Sequence, residues 1–140
     1  MFSGLSYATV LVPNQERALK FYTETLEFET REDYTLPDGK RWLSVAPPGE
    51  EYPRLAIVDA ASEHPQLPDD SERKQRRVGS QVGDYVMFVF SVEDCHLAHD
   101  KLVKRGVGIV TEPYETPWGT EAAFKDPWGN VYEIVEPHLK

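Results

Sequence analysis

Few side chains in this sequence have both the type and the setting for chemistry. Glu133 is the clearest: in DPWGNVYEIVEP (126–137) an Asp-Pro-Trp-Gly-Asn turn runs straight into an alternating strand that carries a carboxylate. A carboxylate there can ligate a metal, act as a general base, or orient a bound molecule. Tyr7 offers a phenol at the start of the first strand. The other candidate nucleophiles and ligands are Cys95 and four histidines, His64, His96, His99 and His138. Cys95 falls at a helix N-terminus, which lowers a thiol pKa. Its neighbour His96 points elsewhere around that helix, so no Cys–His pair is expected. His96 and His99 bracket Leu97 and Ala98 and read as exposed helix-face residues. Three tryptophans could stack on a planar ligand. Trp118 sits in a PWG loop, where burial is not forced. Trp42 follows Arg41, and the two could form a cation–π wall, with Arg41 able to meet an anionic group. Trp128 lies in a tight turn.

The elements that must position these groups come as a repeated unit. YATVLV (7–12) is β-branched, short and stopped by Pro13, and reads as a strand. Asn14 can cap a helix whose Ala18, Tyr22 and Leu26 form one apolar stripe. Three strands follow: ETREDYTL, RWLSVA after a DGK turn, and RLAIVDA after a PPG turn. The second half has the same order: YVMFVFS (85–91), a helix capped by Asp94 and closed by Gly106, then VGIVTEPYE, TEAAFK and VYEIVE. An offset of 80 pairs Val12 with Val92, Asn14 with Asp94, Ala18 with Ala98, and Gly49 with Gly129. In the last strand the offset becomes 77, pairing Ala56 with Glu133.

These patterns predict an α+β fold of two βαβββ modules, at about residues 1–62 and 83–140. The polar stretch at about 63–82 reads as a linker. Curved mixed sheets of this kind can enclose a cleft, and ligands favour concave sites. The formal net charge of −9 argues against nucleic acid and against an anionic membrane surface. Arg54 and the ERKQRR run (72–77) are local exceptions, the run reading as a solvated loop. No apolar run is long enough to span a bilayer. The start has no basic region of the secretory type. One cysteine excludes an intramolecular disulfide and a cysteine-based zinc site, so a reducing cytoplasm is the expected location.

The sequence resembles the vicinal oxygen chelate superfamily, which includes glyoxalase I, extradiol dioxygenases and bleomycin-resistance proteins. The resemblance rests on VLVPNQERALKFYTETLEF (10–28), VFSVEDCHLAHDKLVKRGV (89–107) and PWGTEAAFKDPWGNVYEIVE (117–136). One departure is Glu27, where the family usually has glycine in a left-handed conformation. That conformation costs other residues about 1 kcal/mol.

The resemblance implies four metal-ligand positions, and here they hold Tyr7, Ala56, Met87 and Glu133. Alanine offers no donor, a thioether is soft, and a phenol ligates only when ionised. No metal or other cofactor is therefore expected at this place. The faces shared with these residues add Thr9 and several valines. The leading expectation is a metal-free protein that binds a small apolar or aromatic molecule. Tyr7, Thr9, Met87, Trp118, Trp42 and Arg41 would contact it, and Glu133 would orient it. The resemblance also implies a homodimer. The rival reading is a lyase, isomerase or dioxygenase, either metal-dependent or using Glu133 as general base, its pKa raised by apolar surroundings.

Overall fold

The computed structural model describes residues 1–61 and 86–138, with the side chains of residues 86 and 87 left aside. His64, the ERKQRR run and the expected linker lie outside the described residues. The chain divides into two compact units, Met1–Val82 and Gly83–Lys140.

The first unit runs β1 (Tyr7–Val12), α1 (Gln15–Lys20), β2 (Glu29–Thr35), β3 (Arg41–Ala46) and β4 (Arg54–Asp59). Asn14 caps α1 as expected, its Oδ1 accepting the Arg17 amide at 2.9 Å. The helix continues through a wider turn over Phe21–Thr25, in which the Leu26 amide reaches back to the Phe21 carbonyl. It closes at Glu27, whose φ of 63° is the left-handed conformation the sequence implied. The four strands form one mixed sheet in the order β1-β4-β3-β2, with β1 and β4 parallel and the rest antiparallel. Because side chains alternate across a strand, Val10, Val12, Leu43, Val45, Leu55 and Ile57 share one face. All are buried with Ala18 and Tyr22 of the helix stripe.

The second unit repeats this plan: β5 (Val86–Ser91), α2 (Cys95–Lys104), β6 (Gly108–Thr116), β7 (Gly119–Lys125) and β8 (Val131–Pro137). Asp94 caps α2 through the Leu97 amide, and Gly106, at φ 75°, follows its end. The sheet order is β5-β8-β7-β6, again with only the first pair parallel. Tyr132 is fully buried and lies against Phe88, Phe90 and Phe124, with ring centroids 5.4–6.3 Å apart. Among the described residues no helix is long and apolar enough to cross a membrane.

The ladders confirm the change of offset. Ala56 lies beside Thr9, and Glu133 lies beside Val89, so the two last strands occupy equivalent registers. The turn that launches β8 is held by Asp126, whose Oδ1 accepts the Trp128 and Asn130 amides. The Asn130 side chain donates to Asp126 Oδ2, and both residues are buried. That lock fixes the register of β8 and hence the face on which Glu133 stands.

Candidate functional site

Each sheet has a face opposite its helix, and the polar and aromatic side chains of interest lie there. In the first unit this face carries Tyr7, Thr9, Glu32, Tyr34, Trp42, Ser44, Arg54 and Ala56, as the strand pairings dictate. A bulge between Thr30 and Glu32 in β2 sets Glu32 opposite Ser44.

Glu32 is the centre of a cluster drawn from all four strands. Its Oε1 accepts the Tyr7 hydroxyl at 2.6 Å and the Ser44 hydroxyl at 2.8 Å. The Arg54 guanidinium stands 3.3 Å from the same oxygen, and Trp42 lies on the same face, two residues from Ser44 along β3. Burial alone would push the Glu32 carboxyl up. The hydrogen bonds from Tyr7 and Ser44, with the Trp42 and Arg54 donors beside them, outweigh it and hold the group below its ordinary value. The same hydrogen bond, with burial, pushes the Tyr7 phenol up, so it stays neutral at physiological pH. Tyr7 and Trp42 meet edge to face, their centroids 5.2 Å apart. Arg54 lies over the Tyr52 ring at 4.4 Å.

Arg41 is elsewhere. It is next to Trp42 in β3, so it points to the other face, with Leu43 and Val45. There its fork holds Asp33 through two bonds of 2.8 and 2.7 Å, and Nη1 meets Glu16 of α1 at 2.7 Å. It forms neither the wall with Trp42 nor an anion contact on the face that carries the cluster.

The helix-free face of the second unit carries Val89, Thr111, Tyr114, Glu121, Ala123, Val131, Glu133 and Val135. Trp118, in the turn between β6 and β7, is 61% exposed. Its indole N–H donates to Glu121 Oε1 at 2.6 Å, and the Tyr114 hydroxyl donates to Oε2 at 2.9 Å. The Tyr114 phenol is pushed up by that bond, by burial and by the charges of Glu121 and Glu133. Glu133 stands on the same face, half-buried, beside Val89 and Ala123. Met87 belongs to β5, and its side chain lies outside the described residues.

Other reactive candidates do not assemble. Cys95 is buried, and its thiol is pushed up first by burial and then by Glu136 and Asp94. Desolvation of the thiolate overrides the helix N-terminus, so the expected lowering is reversed. Among the described residues no group of three His, Cys, Asp or Glu could hold a metal ion. At the family's ligand positions Tyr7 is a neutral phenol already donating to Glu32, and Ala56 has no donor atom. These residues do not fit a divalent ion.

The sequence reading missed Glu32, Ser44, Tyr114 and Glu121, and took Arg54 only as a charge exception. Alternation within ETREDYT and TEAAFK puts Glu32 and Glu121 on some face, but which face depends on register and on the bulge.

A model of the Glyoxalase/Bleomycin resistance protein/Dioxygenase superfamily matches residues 4–134, and the chain belongs to that superfamily. It is 32% identical to UcmS2, whose crystal structure it matches with a TM-score of 0.82 over 97% of this chain and 99% of that one. It is also 32% identical to TnmS3, an antibiotic binding protein from Streptomyces sp. CB03234, with a TM-score of 0.74 over 97% of each chain. The uncharacterized protein YetH of Bacillus subtilis (strain 168) is 31% identical, over 97% of this chain and 100% of its own length.

Proposed function

We propose that this protein binds a small, largely aromatic molecule on the helix-free faces of its sheets, without a metal, and sequesters it. One observation carries the reading. Each unit sets a tyrosine and a tryptophan beside a carboxylate on its helix-free face: Tyr7 donates to Glu32 with Trp42 edge-on to its ring, and Tyr114 and Trp118 both donate to Glu121. Rings held in this way present stacking surface at little cost in ordering on binding. The likeness to an antibiotic binding protein supports the same reading. Binding by apolar burial and stacking requires no bond to break.

A thermal-shift screen of planar aromatic compounds, run with and without added divalent metals, tests it. A ligand that binds only the folded protein raises the melting temperature by mass action. The expected result is a shift that does not depend on metal and that falls in Trp118→Ala. A shift seen only with metal would overturn the metal-free reading.

Catalysis by Glu133 is the second reading. Its favouring observation is that the Glu133 side chain has no hydrogen-bond or ion-pair partner among the described residues, so both oxygens are available to a substrate. Exchange of a carbon-bound proton of a bound ligand with solvent, abolished in Glu133→Gln, would establish it. A homodimer in a cytoplasmic setting completes the proposal, and sedimentation tests the assembly.

A further inference from the structure

We propose that Arg54 is the anion-reading group of the first unit, and that the ligand carries a carboxylate on its aromatic body. This inference rests on the small-molecule binding reading above and names the chemical class of the ligand. The argument begins with the donors of the guanidinium. Arginine has five N–H groups in a rigid fork. In Arg54 the Nε–H donates to the Glu51 carbonyl at 3.1 Å, and Nη1 stands 3.3 Å from Glu32 Oε1. Nη2 has no acceptor among the described residues, and the side chain is only 17% exposed. Nη2 is not among the buried atoms that lack a partner, so it is open to solvent and to an incoming ligand.

The surroundings of Arg54 select what could complete it. Tyr52 stacks on the guanidinium and holds its plane. Tyr7 is its register neighbour across β1 and β4 and, as a neutral phenol, does not repel an anion. Among the described residues Glu32 is the one nearby negative charge. Its Oε1 is shared with the hydroxyls of Tyr7 and Ser44. Arg54 is therefore one of three groups around Glu32, and its positive charge is not consumed by a single pair. An Arg fork matches a carboxylate in plane and in spacing. The edge-to-face rings of Tyr7 and Trp42 supply the apolar wall beside it.

Three matched probes test this by calorimetric titration: 2-naphthoate, 2-naphthamide and 2-naphthylmethylamine. Naphthoate is expected to bind about tenfold tighter than the amide, the scale of one charge-assisted contact. Arg54→Gln should remove that preference, bringing naphthoate and amide affinities to within about twofold of each other. Arg54→Lys keeps the charge without the fork and should retain part of the preference. Circular dichroism and melting temperature check that each variant is folded, and the probe ranking on the unmodified protein decides the matter even where a variant is not. Equal binding of all three probes, or a naphthoate preference that persists in Arg54→Gln, would overturn the inference and leave the binding reading standing. Tightest binding by the amine would overturn it too, pointing instead to the carboxylates of the second unit. Failure of all three to bind would overturn the binding reading itself and this inference with it.

Discussion

The two units share a frame and differ in the electrostatics of the face that frame presents. In the first, Glu32 gathers donors from the three other strands of its sheet and is balanced by Arg54. In the second, Glu121 takes Tyr114 and Trp118, and Glu133 adds a second carboxylate, with no arginine on that face among the described residues. The strand order and the Asx caps that open the helices correspond in the two. A βαβββ repeat thus conserves backbone geometry while leaving the polar chemistry of the open face free to diverge. The Tyr–Trp–carboxylate grouping is reached by different routes: the carboxylate comes from β2 in one unit and from β7 in the other, so the two groupings are not repeat mates.

The largest expected effect is at Glu32. Glu32→Ala leaves the fully buried Ser44 hydroxyl without its acceptor and Arg54 without its counter-charge, and should cost about 2–3 kcal/mol in urea unfolding. Glu121→Ala should cost nearer 1 kcal/mol, because the exposed Tyr114 and Trp118 can turn to water. Equal losses would erase the distinction between a locked face and an open one. The pH dependence follows the same line. The folded Glu32 carboxyl is held below its unfolded value, so its contribution is complete above the ordinary carboxylate range and is lost as pH falls through the folded value. The stability gap between the native protein and Glu32→Gln should therefore close on acidification through that window.

A loss of about 2 kcal/mol is expected for Gly119→Ala, since a Cβ there would run into the Glu136 backbone carbonyl. The strand pair would have to move, and Trp118 with it. A changed tryptophan emission in this variant would report that displacement, and an unchanged spectrum and melting point would contradict it.

The helix ends give a smaller and signed contrast. Glu27 at φ 63° and Gly106 at φ 75° adopt the same left-handed region after α1 and α2. Glu27→Gly should stabilise by up to about 1 kcal/mol, and Gly106→Ala should destabilise by a similar amount. Opposite shifts in melting temperature are the expected outcome. The smallest effect belongs to Glu133→Gln. A carboxylate with no partner among the described residues should change stability by less than about 0.5 kcal/mol. A larger loss would mean that Glu133 is part of the scaffold and not free for a ligand or substrate.

Much of the fold was legible in the sequence because its signals are local. Asn14 and Asp94 announce the helices, Gly106 ends one, and the DPWGN turn starts the final strand. The offset of 80 reveals the duplication. The resemblance marked Glu27 as a residue that either takes a left-handed conformation or ends the helix differently, and the structure shows the former. The candidate site was legible only in part. Tyr7, Trp42, Trp118 and Glu133 fall on the helix-free faces, whereas Arg41 faces the helix side and is engaged by Asp33 and Glu16. A one-residue step along a strand reverses the face, and neighbouring types such as Arg41 and Trp42 do not say which of them turns which way.

By itself the sequence determined the repeated βαβββ order and the capping residues that start the helices. Both depend on residue type and on spacings of a few positions. Tertiary structure alone decided that Glu32 receives Tyr7, Ser44 and Arg54, groups up to 25 residues away from it in the chain. That convergence depends on the parallel pairing of β1 with β4 and on one bulge in β2, and neither leaves a periodic mark on the sequence.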